Sequence, residues 1–342
     1  MRVAVFSTST HDEAPFSEAN SRYGHALTFL RSPLNSETAP IAKGFPCVCV
    51  SAGDEADARV IQTLVSGGTR LLALRTPEVS RVDLEAAWGG GIVVVRTPGY
   101  SPHSIAEHTL ALVLALSRRI PRACERVKDG NPSQEGLVGF DLNEKTVGII
   151  GTGSIGRAVA RMFEGFGCNV LGCDLIPNLL FEAHGAYVAF DELLAQSDIV
   201  TLHCPLTADT RHMIGRKAIK EMKDGVMLVN TSHGALLSPT AILEGLKSGR
   251  IGYLGLDLYE EEDEFHGVER ATATTFQDVM PKLMSFSNVI VTSHQGYLSQ
   301  ASLAYLAAAT LENITEFERT GRCHNAVMRA ISDYSPRLHA AG

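Results

Sequence analysis

The chain has 342 residues, 45% hydrophobic and 20% charged, with a formal net charge of -8. That length predicts two domains of roughly 100–200 residues each. An acidic balance without a basic cluster excludes nucleic acid as a partner, because phosphates demand concentrated Lys and Arg.

No apolar run approaches the ~20 residues that span a bilayer, so no membrane partner is expected. The opening Met-Arg-Val-Ala-Val-Phe alternates toward a strand and lacks the apolar segment and cleavage site of a secretory signal, which predicts a cytoplasmic protein.

In the first hundred residues, short apolar runs at 3–6, 27–30, 48–50, 71–74 and 92–95 read as strands, with helical patterns such as 58–65 between them. Strands buried on both faces are parallel strands, so this is a small α/β domain. At Ser101 a long helix begins, with Ser101 as N-cap and Pro102 at its first position. Its later turns are apolar nearly all round, which points to a domain boundary, a subunit contact or a core helix. A second α/β unit follows, with strands at 146–150, 170–173, 199–203, 226–230, 253–258 and 289–292. Residues 301–320 form a long amphipathic helix, and 322–342 read as a short return and a loosely held tail.

The seven cysteines are scattered without zinc-type spacing and read as reduced, mostly buried thiols. The twelve histidines form no metal-ligand pair of the His-Glu-x-x-His kind, so no metal site is expected.

Gly151-Thr-Gly-Ser-Ile-Gly156 directly follows the apolar run ending at Ile150 and opens a helical pattern. Gly151 permits a tight turn, Gly153 lets backbone amides approach a pyrophosphate, and Gly156 lets helix and strand pack closely. The next strand ends at Asp174, eighteen residues beyond Gly156. There a carboxylate accepts a hydrogen bond from a ribose hydroxyl, which favours NAD over its 2′-phosphorylated form.

Beyond this turn, several segments occur in series: Tyr100-Ser-Pro-His-Ser-Ile-Ala-Glu-His108, Leu202-His-Cys-Pro-Leu-Thr207, Asn230-Thr-Ser, Gly255-Leu-Asp-Leu-Tyr-Glu260 and Phe286-Ser-Asn-Val-Ile-Val-Thr-Ser-His-Gln295. Together they make the chain resemble the D-2-hydroxyacid dehydrogenase family, most closely its fermentative D-lactate dehydrogenase branch. The resemblance implies two Rossmann-like, doubly wound parallel-sheet domains with cofactor and active site in the cleft between them. Residues 101–298 would form the NAD-binding domain, and 1–100 with 299–342 the substrate domain. It implies cofactor contacts from Gly151, Gly153, Ser154, Ile155, Gly156, Asp174, Cys204, Pro205, Thr231, Ser232 and Asp257, the last holding the nicotinamide carboxamide. His294 would be the proton donor and Glu262 its orienting carboxylate, five positions beyond Asp257; a carboxylate partner raises the imidazole pKa so that it can protonate a carbonyl oxygen. Tyr100 and Tyr297 would line the cleft, although either ring also suits a core, and a homodimer is the family habit.

Three departures from the family pattern fall on substrate-facing positions. In Asn230-Thr-Ser-His-Gly234, His233 stands where the resemblance places a carboxylate-clamping arginine. Neutral imidazole offers one donor against a permanently charged fork, at a cost of roughly 2–5 kcal/mol. In Arg75-Thr-Pro-Glu-Val-Ser80, Pro77 removes an amide donor and Glu78 puts an anion where the family has glycine. Ser51-Ala-Gly53 replaces bulkier residues, including an aromatic. The leading expectation is an NAD-dependent oxidoreductase for a bulkier small molecule lacking an exposed carboxylate. A weak conventional enzyme and an NAD-binding regulator, scaffold or non-redox catalyst stay open beside it.

Overall fold

The computed structural model describes residues 1–99, 101–257 and 275–328. The chain divides into two units, Met1–Tyr100 with Gln300–Gly342, and Ser101–Ser299. The strands of the first are β1 (Arg2–Val5), β2 (Ala26–Phe29), β3 (Cys47–Val50), β4 (Leu71–Leu74) and β5 (Val93–Arg96). They form one parallel sheet in the order β2-β1-β3-β4-β5. Every residue of β3 and β4 is buried, because both faces are covered. On one face Val48, Val50, Leu72 and Leu74 pack with Val60, Ile61 and Leu64 of helix Ala58–Ser66. On the other, Cys47, Cys49, Leu71 and Ala73 pack with Ala307, Leu311 and Ile314 of helix Gln300–Thr320. The periodic reading passed over helix Thr10–Asn20, which carries Pro15 in its interior and a weakly sided pattern.

The second unit holds β6 (Thr146–Ile150), β7 (Asn169–Cys173), β8 (Ala186–Tyr187), β9 (Ile199–Leu202), β10 (Val226–Asn230), β11 (Ile251–Asp257) and β12 (Val289–Thr292). They form a seven-stranded parallel sheet in the order β12-β11-β10-β9-β6-β7-β8. Helix Pro102–Ser117 begins at Ser101 as expected, and Leu112, Val113 and Leu116 join Val147, Ile149, Met227 and Val229 in one core layer.

Each sheet reverses its strand order once, between β1 and β3 in the first and between β6 and β9 in the second. Neighbouring connections there leave on opposite faces, opening a crevice at the carboxyl ends of the strands. Residues 6–7 and 51–54 flank the first crevice, and 151–153 and 203–205 the second. All seven cysteines are free; Cys47, Cys49 and Cys323 are buried, whereas Cys124 is exposed. No helix among the described residues is long and apolar enough to cross a membrane.

Candidate active site

The turn after β6 leaves no room for side chains at two of its glycines. Gly151 has φ +93°, and a Cβ on it would lie 2.5 Å from the Cys204 amide nitrogen. A Cβ on Gly156 would meet the Gly151 carbonyl oxygen at 2.0 Å. A Cβ on Gly153 would meet nothing within 4 Å, so the backbone there faces open space. Ser154 and Ile155 begin the helix Ser154–Gly165, whose first N–H groups have no partner within the helix and suit a phosphate.

Asp174 follows β7 with its carboxylate already oriented. Its Oδ2 accepts from the Thr152 amide at 2.6 Å and the Thr152 hydroxyl at 3.1 Å, and its Oδ1 from the Ile176 amide at 3.1 Å. Partial burial pushes the carboxyl up, but these hydrogen bonds prevail and hold it below the ordinary value. Two oxygens offer about four acceptor sites, so capacity remains for a ribose hydroxyl. The run that follows exposes Leu175, Ile176, Leu179 and Leu180, an apolar shelf suited to a flat base. These residues therefore fit NAD, the turn by its cradle and Asp174 by its anchored carboxylate.

Across the crevice, the Ser232 hydroxyl donates to the Cys204 carbonyl at 2.8 Å, and Thr231 shares a 2.8 Å hydroxyl contact with Thr109. The Thr210 hydroxyl donates to the Pro205 carbonyl at 2.8 Å. Asn230 sets the following turn: its Oδ1 accepts from the Ser232 amide and its Nδ2 donates to the His233 carbonyl. His233 is half-buried, at the N-cap of the short helix Gly234–Leu236.

Asp257, at the end of β11, is 3% exposed. Its Oδ1 accepts from the Thr292 hydroxyl at 2.6 Å and the Gln295 amide at 2.9 Å, and its Oδ2 from the Gly296 amide at 2.7 Å. His108 lies 3.6 Å from Oδ1 and contacts the Thr292 hydroxyl at 3.1 Å. Burial alone would push this carboxyl up, but those donors bring it down to about 2. Asp257 thus anchors the turn that carries His294, an organising role that stands beside the carboxamide contact expected of it. Sequence reading gave His108 no role; the signal was its place in the helix that begins at Ser101. His294 itself sits at φ +51°, a conformation a non-glycine residue holds only when its surroundings impose it. Its half-buried ring lies 6.3 Å, centroid to centroid, from that of Tyr297. Glu262 and Tyr100 lie outside the described residues.

In the first unit, Ser51, Ala52, Asp54, Thr76, Glu78 and Ser80 line one hollow at the ends of β3 and β4. Asp54, missed in the sequence, is 3% exposed and, with Thr76, the most deeply buried polar residue of this lining. It accepts from the Ser7 hydroxyl, the Leu34 amide and the Ser51 amide at 2.6–2.7 Å. Burial nevertheless leaves its carboxyl raised. The neighbouring loop turns its donors inward. Arg75 donates to the Asp12 carboxylate at 2.9 Å and to the Phe6 and Ser7 carbonyls, and the Glu78 amide donates to the Thr76 hydroxyl at 3.2 Å.

Residues 110–296 match the D-isomer specific 2-hydroxyacid dehydrogenase, NAD binding domain. The chain is 40% identical over 329 residues to a 2-hydroxyacid dehydrogenase homolog of Haemophilus influenzae, covering 96% of this chain and 99% of the relative. Its structure is similar to apo D-lactate dehydrogenase from Escherichia coli, with TM-score 0.89, 38% identity and coverage of 96% and 100%. It is also similar to D-lactate dehydrogenase with NAD+ from Lactobacillus jensenii, with TM-score 0.81, 30% identity and coverage of 96% and 100%. The chain therefore belongs to the D-isomer specific 2-hydroxyacid dehydrogenase family, as an NAD-dependent dehydrogenase of two Rossmann-like domains.

Proposed function

We propose that this dehydrogenase acts on a carbonyl, hydroxyl or imine compound bulkier than a simple 2-keto acid and without an exposed carboxylate. The observation that carries the reading is the inward turn of the 75–80 loop. Pro77 has no N–H, the Glu78 N–H is engaged by Thr76, and the Arg75 guanidinium is engaged by Asp12 and two carbonyls. A substrate carboxylate would find the two amide donors missing or spent, the terminal nitrogens of Arg75 committed elsewhere, and the exposed Glu78 carboxylate beside it. His233, in place of an arginine, removes the bidentate partner as well.

The bound nicotinamide supplies or accepts the hydride. His294, oriented by Glu262, moves the proton at the substrate oxygen, while Asp257 fixes the backbone from which His294 projects. Ser51, Glu78, Tyr100 and Tyr297 shape the space around the substrate, and a cationic substituent would pair with Glu78. The NAD-binding domain is 101–298, the substrate domain 1–100 with 299–342, and the enzyme works as a cytoplasmic homodimer.

The test is NADH consumption against pyruvate, longer 2-keto acids, and aldehydes, ketones and imines lacking a carboxylate. Faster turnover of the carboxylate-free compounds is expected. Pyruvate turnover of ~10 s⁻¹ or more, an ordinary enzyme rate, would overturn the reading and restore the conventional one.

A further inference from the structure

Helix Gln300–Thr320 ends in a reversal at Gly321, with φ +69°, that brings Cys323 and His324 back beside Glu316. His324 Nδ1 lies 2.6 Å from Glu316 Oε2, and the His324 amide reaches both carboxylate oxygens at 3.2 Å. One ligand atom from each of Glu316, Cys323 and His324 lies within 4.8 Å of the others. These are three donors of different chemistry, a carboxylate, a thiol and an imidazole, which sets the group apart from an acidic surface cluster.

We propose that Glu316, Cys323 and His324 bind a divalent ion of the zinc class, with water as fourth ligand, clamping the return segment to the end of the long helix. Tetrahedral coordination at bond lengths of about 2.0–2.3 Å sets donors roughly 3.3–3.8 Å apart, so the Nδ1–Oε2 pair would open and any wider pair close by about 1 Å or less to form the site. A thiolate with an imidazole selects zinc over magnesium or calcium, which take oxygen ligands. The surroundings fix where the sulfur sits. Cys323 is buried, and its Sγ–H donates to Asn313 Oδ1 at 3.4 Å. The Asn313 carboxamide is fixed in turn by a bond from Asn325 Nδ2 and by its own bond to the Arg96 carbonyl. His324 is exposed and Glu316 half-buried, so the ion enters from solvent.

On binding, the Cys323 thiol gives its proton to solvent. The imidazole proton facing Glu316 moves to Nε2, freeing the Nδ1 lone pair. Burial holds the metal-free thiol up at about 11, so it arrives protonated. The segment that the ion would anchor continues to an antiparallel bridge between Ala326 and Val95 and a 2.8 Å bond from the Val327 amide to the Val94 carbonyl. Metal would therefore stiffen the edge of the first sheet, independently of which substrate the enzyme takes.

The full chain, freed of metal, is titrated with Co²⁺ and then Zn²⁺. One Co²⁺ should bind at micromolar concentration with an ultraviolet thiolate-to-cobalt band that Zn²⁺ displaces, and Zn²⁺ should raise Tm. Cys323→Ser should abolish the band. His324→Asn and Glu316→Gln, at solvent-accessible positions that leave the core intact, should each weaken binding at least about tenfold. Cys124→Ser, at the exposed thiol, should change nothing. Absence of saturable micromolar binding overturns the proposal, as does a band or affinity that survives Cys323→Ser or His324→Asn.

Discussion

The turn after β6 and the loop after β4 are both short connections at the carboxyl ends of parallel strands, yet they use their backbone in opposite ways. In the first, glycine brings the chain close to its neighbours and leaves amides facing open space at Gly153. In the second, proline removes one amide and the Thr76 hydroxyl takes another. The lesson is that a binding loop is read by where particular N–H groups go: the backbone at Gly153 faces open space, whereas Pro77 and Thr76 remove two successive amide donors from the 75–80 loop.

The contrast is tested most severely at the two glycines. Gly156→Ala would drive a methyl into the Gly151 carbonyl, costing about 3 kcal/mol or more by overpacking and abolishing measurable NADH binding. Gly153→Ala meets no protein atom within 4 Å, so stability should hold within about 0.5 kcal/mol while NADH affinity falls at least about tenfold, equivalent to 1.4 kcal/mol. Denaturant melts and NADH titrations of both variants decide this. Unchanged NADH affinity in Gly153→Ala would remove that residue from the cofactor site.

On the substrate side, His233→Arg alone should leave pyruvate reduction near its wild-type level, because Pro77 and Glu78 still oppose the carboxylate. Combining it with Pro77→Ala and Glu78→Gly should raise kcat/KM by roughly 30-fold or more, the lower end of a 2–5 kcal/mol interaction, and non-additively, since the three positions act as one unit. Additive single-site gains would show that the loop and His233 work separately.

A smaller effect is expected at Asp257, whose turn organises the catalytic side as the glycines organise the cofactor side. Its carboxyl falls from the ordinary 3.8 to about 2 in the folded chain. A depressed folded value gives stability that is fully present above about pH 4 and is lost as pH falls toward 2, on the order of 2 kcal/mol. Asp257→Asn should lower stability at pH 7 by about that amount and flatten the acid limb between pH 4 and 2. Chemical denaturation at a series of pH values reads both, and an unchanged acid limb would contradict the assignment.

Much of the nucleotide unit was legible because its signals are local. Gly151, Gly153 and Gly156 are spaced by the geometry of one turn, and Asp174 directly follows the very next strand. The hydrophobic runs predicted nearly every strand, because strands buried on both faces carry no polar interruption. Helix Thr10–Asn20 escaped because periodicity fails where one side is barely more apolar than the other. Asp54 escaped because a buried carboxylate reads like any turn aspartate until Ser7 and Leu34, distant in sequence, fold onto it.

By itself the sequence determined the α/β class, the nucleotide turn and the substitutions at 51–53, 77–78 and 233, since each depends on residues a few positions apart. Tertiary structure alone decided which hydrogen bonds those residues make. It turned the Glu78 amide onto Thr76, gave Asp257 to the His294 turn, and set Cys323 and His324 against Glu316 across a chain reversal. The physical reason is that a donor or acceptor is assigned only when long-range packing has fixed which partner lies within about 3 Å, and spacing along the chain carries no record of that choice.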